Sequence, residues 1–234
     1  MSKGFNGLVL KAFGGSDYRL TVTSSRQITD SYLRLGFTGG GLLADHPIHP
    51  TQWIRLWFAD DTGALQQRGY TLVDPDADND TFDIEFAIHE GPAARWARQA
   101  QPGTEIEATV MGSKFRLPDP LPSEFIIFGD TASLPAINSL LDAIGDTPAR
   151  VWLEWQHESD KDIPVRASDT ATVTWLERIN DGQLLREAAE QITCPPDAFA
   201  WIGCDGLTTR SITQTIRGQH ALPKHSVKAQ AYWK

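Results

Sequence analysis

The chain has 234 residues, of which 41% are hydrophobic and 22% charged, as is usual for a soluble globular protein with one large or two small domains. Its formal net charge of −9 argues against nucleic acid as a partner, because a phosphate backbone binds basic surfaces. No apolar run approaches the roughly 20 residues of a membrane span, and residues 1–11 contain no secretory signal. Only Cys194 and Cys204 are present, which fits a reducing compartment, so we expect a cytoplasmic protein. We also expect it to be a monomer and to bind no membrane.

Short apolar segments in the first half of the chain predict a small closed β-barrel. They are rich in β-branched and aromatic residues, and turn clusters such as Gly39-Gly40-Gly41 separate them. In residues 82–88 apolar and polar side chains alternate strictly, which indicates one buried face and one solvated face. A single helix is predicted at residues 92–101. The predicted strands are residues 18–28, 31–38, 52–59, 69–73, 81–89 and 105–111.

A proline-rich stretch, residues 117–122, marks the predicted boundary between domains 1–120 and 121–234. Beyond it strands and helices alternate, which is typical of a parallel α/β sheet with ligands at the carboxyl ends of its strands. Residues 125–128 form the continuous apolar run that a strand buried on both faces requires. The other predicted strands are 151–155, 171–176, 199–202 and 227–233, and the predicted helices are 134–144, 183–192 and 208–217.

Two neighbouring motifs of the first domain point to a dinucleotide cofactor. Arg68-Gly69-Tyr70-Thr71 places a guanidinium, a phenol and a hydroxyl at the end of a strand. His89-Glu90-Gly91-Pro92-Ala93-Ala94-Arg95-Trp96 ends another strand, turns at Gly-Pro and begins a short helix, whose first N–H groups and dipole suit an anion. An aromatic platform beside an anion site is what a flavin dinucleotide needs. The alternatives are that Arg68 and His89 are ordinary surface residues and that Trp96 belongs to the core.

The second domain holds two further candidate segments. Gly129-Asp130-Thr131-Ala132-Ser133 lies between a strand and a helix, where α/β domains receive a dinucleotide, but G-x-G-x-x-G is absent and Asp130 as a simple helix cap is the alternative. Residues 206–234 contain no acidic residue, so this stretch is either a solvated basic tail or an anion-attracting surface. Its five basic residues are Arg210, Arg217, Lys224, Lys228 and Lys234.

Other kinds of chemistry lack a pattern in the sequence. His46-Pro47-Ile48-His49 has no neighbouring Cys, Asp or Glu set that would complete a metal site. Neither a G-x-S-x-G elbow nor a C-x-x-C pair is present, so we expect neither serine hydrolysis nor thiol redox chemistry.

Four blocks, in the same order along the chain, resemble the siderophore-interacting protein family of flavin-dependent ferric-siderophore reductases. Arg68-Gly69-Tyr70-Thr71 resembles the family's Arg-x-Tyr-Thr block, and residues 83–96 resemble its strand followed by His-Gly-Pro-Ala-x-x-Trp. Gly129-Asp130 with Leu134-Pro135-Ala136 resembles its Gly-Asp-Glu-Thr-Ala-Leu-Pro-Ala block. Trp201-Ile202 and the terminal Tyr232-Trp233-Lys234 resemble its closing strand and C-terminal end.

The resemblance implies a six-stranded antiparallel barrel that binds FAD, followed by a small parallel α/β domain of the NAD(P)H-binding type, together a ferredoxin-reductase-like fold. It also implies an enzyme that passes electrons through FAD to siderophore-bound Fe(III), so that weakly held Fe(II) is released. The flavin carries this chemistry, so neither a catalytic side chain nor a protein-bound metal is expected. The implied cofactor-binding residues are Arg68, Tyr70, Thr71, His89, Gly91, Pro92, Ala93, Trp96, Asp130, Thr131 and Trp233.

Departures from the family pattern leave the electron donor open. Val73 replaces an arginine, residues 131–133 replace Glu-Thr-Ala, and Cys204-Asp205 replaces Gly-Glu. NADH, NADPH and a ferredoxin are therefore all candidate donors. The alternative functions are a general NAD(P)H-flavin or ferredoxin-type oxidoreductase and a non-enzymatic module that binds a ferric chelate. Because many ferric siderophores carry negative charge, we expect a basic cleft beside the flavin, lined by Arg55, Lys228 and Lys234.

Overall fold

The computed structural model describes residues 15–111 and 113–234 and divides them into two units, whose sequence boundary lies between Phe115 and Arg116. The predicted boundary lay a little later, between residues 120 and 121. The predicted absence of a signal segment concerns residues 1–11, which lie outside the described residues.

The first unit is built on one antiparallel sheet of seven strands in the order β4-β3-β7-β1-β2-β6-β5. Two helices are described beside it, α1 (Leu42–Asp45) and α2 (Pro92–Gln99). The strands are β1 (Ser16–Thr29), β2 (Tyr32–Thr38), β3 (Trp53–Ala59), β4 (Leu65–Thr71), β5 (Val73–Asp76), β6 (Thr81–Ala87) and β7 (Glu105–Val110). The one-turn helix α1 had not been predicted from the sequence.

The two edge strands of this sheet are consecutive in the chain, and Leu72 alone separates them. Its N–H donates to the Gln52 carbonyl at 2.8 Å, beyond the start of β3, while β5 pairs with β6 at the opposite edge. The prediction of one strand over residues 69–73 was therefore wrong, since the chain changes partners inside it. If β4 and β5 are counted as one interrupted strand, the sheet has the six strands expected of the barrel. The sheet is curled, because this one segment of the chain lies at both of its edges.

Alternation along the strands separates a core face from an outer face. Ile54, Leu56 and Phe58 of β3 are fully buried in the barrel core, and the alternating pattern of β6 is buried at every second residue, as predicted. Helix α2 adds small side chains to the same core. It ends at Gln99 rather than at residue 101, because Pro102 lacks an N–H and the turn at Gly103, with a φ of 92°, redirects the chain.

The second unit contains a parallel five-stranded sheet in the order β10-β9-β8-β11-β12. A helix follows each of β8, β10 and β11 and begins at the carboxyl edge of the sheet. Every residue of β8 is buried, as predicted for a central parallel strand. The strands are β8 (Phe125–Asp130), β9 (Ala149–Trp155), β10 (Ala171–Glu177), β11 (Phe199–Gly203) and β12 (Val227–Ala229), and the helices are α3 (Leu134–Ile144), α4 (Gln183–Gln191) and α5 (Gly206–Gly218).

The last strand is shorter than predicted. Residues 227–233 were expected to form one strand, but β12 ends at Ala229. The chain still follows the end of β11, because the Gln230 N–H donates to the Ile202 carbonyl at 2.9 Å and Tyr232 to Cys204 at 2.9 Å. A single bridge between Asp205 and Trp233 completes this alignment. The C-terminal Trp233 is thereby held beside the carboxyl edge of the parallel sheet.

Among the described residues, no helix has the length and apolar character that crossing a membrane requires.

Candidate functional site

In the first unit, the motif Arg68-Gly69-Tyr70-Thr71 forms the end of edge strand β4. Tyr70 lies opposite Ile54 and Arg68 opposite Leu56, so both share the core face of the sheet, whereas Thr71 lies opposite Trp53 on the other face. Since β4 is the first strand in the sheet order, no strand of the described part of the chain pairs with the outer side of its backbone. A flat ring lying along this edge would reach side chains of both faces.

Tyr70 belongs to an aromatic cluster that joins β4 to helix α2. Its ring centroid lies 4.5 Å from that of Phe86 and 6.0 Å from that of Phe58. Trp96 of α2 packs edge-on against Phe58 at 5.6 Å and lies 6.3 Å from Phe86. Burial raises the pKa of the Tyr70 phenol above its ordinary value, so the ring stays neutral. The cluster therefore fixes Tyr70 as an apolar platform and brings α2 next to it.

Arg68 has a charge that the described residues leave without a carboxylate partner. Its guanidinium is exposed and donates to the Gln67 carbonyl at 2.8 Å and to Gln66 Oε1 at 2.9 Å, both neutral acceptors. A guanidinium held in this way keeps its positive charge available to an anion.

Thr71 contributes a hydroxyl with an unmet hydrogen-bonding requirement. The residue is 4% exposed, and its Oγ1 atom has no hydrogen-bond partner among the described residues. A buried unpaired hydroxyl is destabilising, and most such groups in native proteins are satisfied by protein, water or a ligand. Thr71 is thus a feature that a bound molecule would explain.

The start of helix α2 is suited to an anion. Gly91 adopts a φ of 144° and a ψ of 167°, a conformation restricted to glycine, and Pro92 occupies the first turn. No side chain of the described residues caps the first N–H groups of α2, and its first turn has no acidic residue. His89, just before this turn, is exposed and has its Nδ1 atom 2.6 Å from the Glu90 carbonyl. Because Trp96 lies one turn further along α2, the Tyr70 cluster brings this helix start close to β4.

The structure thus groups most of the predicted cofactor residues of the first unit, namely Arg68, Tyr70, His89, Gly91, Pro92, Ala93 and Trp96, and places Thr71 on the adjacent face of the same strand. They supply a platform, a free cation, an uncapped helix start and an unpaired hydroxyl. This set fits a flavin dinucleotide, which presents a flat ring with polar edges and a pyrophosphate. Their contacts with a cofactor stay predictions.

In the second unit, charged residues from neighbouring strand ends form a connected row at the carboxyl edge of the sheet. Arg178, which follows β10, donates to the Glu154 carboxylate of β9 and to Asp205 Oδ2 at 3.2 Å. Its guanidinium also lies over the Trp233 ring, 4.7 Å from the centroid. Trp233 Nε1 in turn donates to Asp130 Oδ2 of β8 at 2.7 Å. Asp130, Glu154, Arg178, Asp205 and Trp233 are called the carboxyl-edge row below.

Asp130 uses its carboxylate inside the loop that joins β8 to α3. Its Oδ1 accepts the Ser133 N–H at 3.0 Å, and the Asp130 N–H donates to Ser133 Oγ at 2.9 Å. Burial raises the pKa of Asp130, against the opposing effect of the hydrogen bonds from Trp233 and Ser133. Asp130 therefore fixes the loop rather than the helix: Ser133 is the residue that precedes α3, and among the described residues no side chain bonds the first-turn N–H groups of this helix, so the alternative of a simple helix cap is wrong. The predicted Thr131 lies buried in the same loop.

Glu154 is the most unusual member of the row. It is 1% exposed, one oxygen accepts from Arg178, and Oε1 has no partner among the described residues. Burial raises its pKa to about 7, although Arg178 opposes that shift. Burial also pushes the pKa of Asp205 upward, but the Thr208 N–H and Arg178 outweigh it, so that pKa lies below its usual value.

Sequence reasoning missed Glu154 and Arg178. The available signal was positional, since each charged residue ends or directly follows a predicted strand: Asp130 after 125–128, Glu154 in 151–155, Arg178 after 171–176 and Asp205 after 199–202. Carboxyl ends of parallel strands share one edge of a sheet, so these residues had to approach one another.

The three predicted siderophore-binding residues lie in different parts of the fold. Arg55 of β3 faces away from Tyr70, stacks over Trp53 with 4.3 Å to the ring centroid, and donates to the Met111 carbonyl at 2.8 Å. Burial lowers the pKa of its guanidinium. Lys228 is half-buried on β12, and Lys234 is exposed at the C-terminus. Because Arg55 belongs to the first unit and the two lysines to the second, a common basic cleft stays a prediction.

Two protein-family models match the chain. The model described as siderophore-interacting FAD-binding domain matches residues 25–112, and the model described as siderophore-interacting protein matches residues 122–234. The matches fall on the two structural units in turn.

Two curated relatives carry related descriptions. The chain is 33% identical over 239 residues to the mycobactin import ATP-binding/permease protein IrtA of Mycolicibacterium smegmatis. That match covers 100% of this chain but only 28% of IrtA, so the chain spans little more than a quarter of that relative. It is also 26% identical over 157 residues to the NADPH-dependent ferric-chelate reductase of Escherichia coli, with 64% of this chain and 59% of the reductase covered.

Solved structures show the same architecture. A siderophore utilization protein from T. fusca superimposes with a TM-score of 0.83 at 22% identity, covering 94% of this chain and 93% of that one. A ferredoxin NADP+ reductase from Neisseria gonorrhoeae, solved with FAD and NADP, gives a TM-score of 0.71 at 14% identity, with 93% and 99% covered. The predicted β plus α/β fold of the ferredoxin-reductase-like class is thereby confirmed.

Proposed function

Because this chain belongs to the siderophore-interacting protein family, we propose that it is an FAD-dependent oxidoreductase that reduces siderophore-bound Fe(III). The observation that carries the proposal is a combination seen among the described residues of the first unit: a buried Thr71 hydroxyl without a hydrogen-bond partner, a cation without a carboxylate partner, and a helix start without a side-chain cap or an acidic residue. The name of the Escherichia coli relative supports the reaction, and that of the Mycolicibacterium relative supports a siderophore as the iron chelator.

In this proposal each group of the first unit has one role toward the cofactor. Tyr70, held by Phe86 and Phe58, offers a flat apolar surface to the isoalloxazine ring. The Thr71 hydroxyl donates to or accepts from the polar edge of that ring. Arg68 and the N–H groups at the start of α2 bind the pyrophosphate, with His89 beside them. Gly91 permits the turn that aims this helix start.

A bound flavin accepts a pair of electrons and releases them singly, which is what one-electron reduction of Fe(III) requires. The protein then has to position the ring and exclude competing reactions. No general acid or base is needed for such a transfer. The siderophore iron is substrate, and among the described residues no group of histidine, cysteine or carboxylate side chains is arranged to hold a metal. In our proposal the electrons reach the flavin from NADH, NADPH or a ferredoxin.

The test has two stages. First, the chain stripped of cofactor is titrated with FAD and followed by flavin absorbance and fluorescence. We expect saturable binding at one FAD per chain. Second, the bound flavin is reduced photochemically without oxygen, mixed with a ferric siderophore, and the Fe(II) is trapped by a coloured chelator. Reoxidation of the flavin with two Fe(II) per FAD is expected, because each Fe(III) takes one electron.

A chain that binds no FAD would refute the proposal and favour a non-enzymatic ferric-chelate module. FAD binding without reoxidation by any ferric chelate would favour a general flavin oxidoreductase, the alternative that the fold of the Neisseria reductase supports.

A further inference from the structure

We propose that the carboxyl edge of the parallel sheet is closed to the pyrophosphate of a nicotinamide dinucleotide, so that the second unit does not hold NADH or NADPH in the way its fold allows. The consequence for the electron donor rests on the proposed function, whereas the closed edge itself does not. In doubly wound α/β sheets this edge, and the helix starts along it, is where dinucleotide phosphates bind. The three α-helices described for this unit begin there, and each meets a carboxylate of the chain itself.

Asp130 lies in the loop that leads to the first helix start, at α3. Its Oδ1 accepts the Ser133 N–H at 3.0 Å, while the Ser133 hydroxyl is engaged with the Asp130 backbone. The other carboxylate oxygen accepts Trp233 Nε1 at 2.7 Å. Asp130 thus places a buried negative charge in the strand–loop–helix turn, the part of a doubly wound sheet that receives a dinucleotide phosphate. A phosphate bound at this turn would lie beside a buried carboxylate that makes hydrogen bonds through both of its oxygens.

The second helix start, at α5, is filled by Asp205. Its Oδ1 accepts the N–H groups of Leu207 and Thr208, both at 2.9 Å, so two of the first donors of the helix are already satisfied. Its Oδ2 accepts from Arg178 at 3.2 Å. A phosphate at this helix would lose those donors and would lie against a carboxylate whose pKa is already lowered by them.

The third helix start, at α4, faces Glu154. The residue that precedes the helix is Gly182, with a φ of 82°, and a Cβ atom placed there would lie 2.5 Å from Thr208 Oγ1 and 3.2 Å from Glu154 Oε1. The space in front of this helix is therefore taken by the unpaired oxygen of a buried carboxyl group. Nothing larger than hydrogen fits between them without a shift.

The charges of the row reinforce the steric argument. The row contains three carboxylates and one guanidinium. That guanidinium, of Arg178, already forms ion pairs with Glu154 and Asp205. With every group ionised the row carries two more negative than positive charges, and a pyrophosphate would add two further negative charges in a poorly solvated place. Helix α2 of the first unit lacks such a carboxylate. A donor that is not bound at this edge, such as a one-electron carrier protein, is the consequence for the proposed reaction.

The test measures binding of the oxidised dinucleotides NAD+ and NADP+ to the full chain at pH 8 and low salt. Calorimetry gives the affinity, and amide NMR shifts at Ser133, Leu207 and Thr208 report the edge. Binding to the wild-type chain should not saturate at dinucleotide concentrations up to about 1 mM. The double substitution Glu154→Gln with Asp205→Asn keeps a helix cap at position 205 and removes the charge excess. It should strengthen binding about tenfold or more, with shifts at Leu207 and Thr208.

The matched control is Asp169→Asn with Glu190→Gln, which changes the net charge equally. Both residues are exposed, one just before β10 and the other near the end of α4, so they belong to the opposite edge of the sheet. This variant should bind no better than wild type. Two results would overturn the closed edge. One is dinucleotide binding to the wild-type chain that saturates below about 0.1 mM and shifts the amide signal of Ser133. The other is an equal gain in dinucleotide affinity in the double variant and in the control variant. If the double variant unfolds, the wild-type titration alone decides. None of these outcomes depends on flavin binding, so failure here is separate from failure of the proposed function.

Discussion

The buried hydroxyl of Thr71 gives the sharpest test of the cofactor site, because its structural and its binding roles predict opposite results. Thr71→Val replaces the hydroxyl with a methyl group and keeps the β-branched shape that suits a strand. In the cofactor-free chain the Oγ1 atom has no partner among the described residues. Leaving such a group buried costs about 1–3 kcal/mol, so its removal should leave the free energy of unfolding unchanged or raise it. Loss of one hydrogen bond to FAD should weaken FAD binding by about 1 kcal/mol, or roughly fivefold to tenfold.

Thr109→Val is the matched control. Thr109 is equally buried, at 1% exposure, but its hydroxyl accepts from Trp57 Nε1 at 2.9 Å and donates to Asp17 Oδ1 at 2.6 Å. The same chemical change should therefore lower the free energy of unfolding by about 1–3 kcal/mol. Urea unfolding of the FAD-free chains measures both stabilities, and quenching of FAD fluorescence measures the dissociation constants.

Equal destabilisation by the two substitutions would show that the Thr71 hydroxyl already has a partner in the cofactor-free fold. Unchanged FAD affinity in Thr71→Val would remove this hydroxyl from the binding site. Either result refutes the reasoning, since it requires a group that is unsatisfied without FAD and satisfied with it.

Three further outcomes are expected. Arg68→Gln should weaken FAD binding about 10- to 100-fold and make that binding less dependent on salt. The free energy of unfolding should not change, because the guanidinium is exposed and its hydrogen bonds among the described residues go to neutral acceptors. Calorimetry of FAD binding at several salt concentrations checks this. Arg178→Met should lower the free energy of unfolding by about 3–5 kcal/mol at pH 8, since Glu154 and Asp205 would lose their shared cation. The folded pKa of Glu154, about 7, lies above its ordinary value of 4.5, so neutral Glu154 stabilises the fold at low pH. That contribution should fade as pH rises through about 4.5–7, and Glu154→Gln should remove this part of the slope in unfolding measured across pH.

Much of the fold followed from the sequence, because periodicity reports burial. Strict alternation identified β6, and a continuous apolar run identified β8. The errors in predicting strands occur where the backbone changes its hydrogen-bond partners while the type of side chain stays the same. Leu72 is as apolar as its neighbours, yet it separates two strands that pair at opposite edges of the sheet. Residues 230–233 continue a β-like pattern, but single backbone hydrogen bonds and one bridge join them to the end of β11 and to the residues that follow it.

The candidate site was predictable only in part, for a related reason. Arg68, Tyr70 and the Gly91 turn are recognisable because residue type and spacing carry their chemistry. That the Thr71 hydroxyl is buried and unpaired depends on the packing around it, which no local pattern records. Glu154 and Arg178 look like ordinary charged residues at strand ends until the strand order places them side by side. Sequence reasoning finds groups that act alone better than groups that act as a set.

The two units treat anions in opposite ways, and this difference gives the chain its specificity in our proposal. With a net charge of −9, the chain repels anionic ligands in general, so binding must be created locally. Helix α2 begins after a glycine turn with no carboxylate in its first turn, whereas Asp205 caps the start of α5 and Asp130 lies buried in the loop before α3. FAD and a nicotinamide dinucleotide share a pyrophosphate, so that group alone cannot distinguish them. The placement of three carboxylates at one edge of the second unit can, because each adds like charge there and Asp205 also takes up helix donors, whereas the first turn of α2 has no acidic residue.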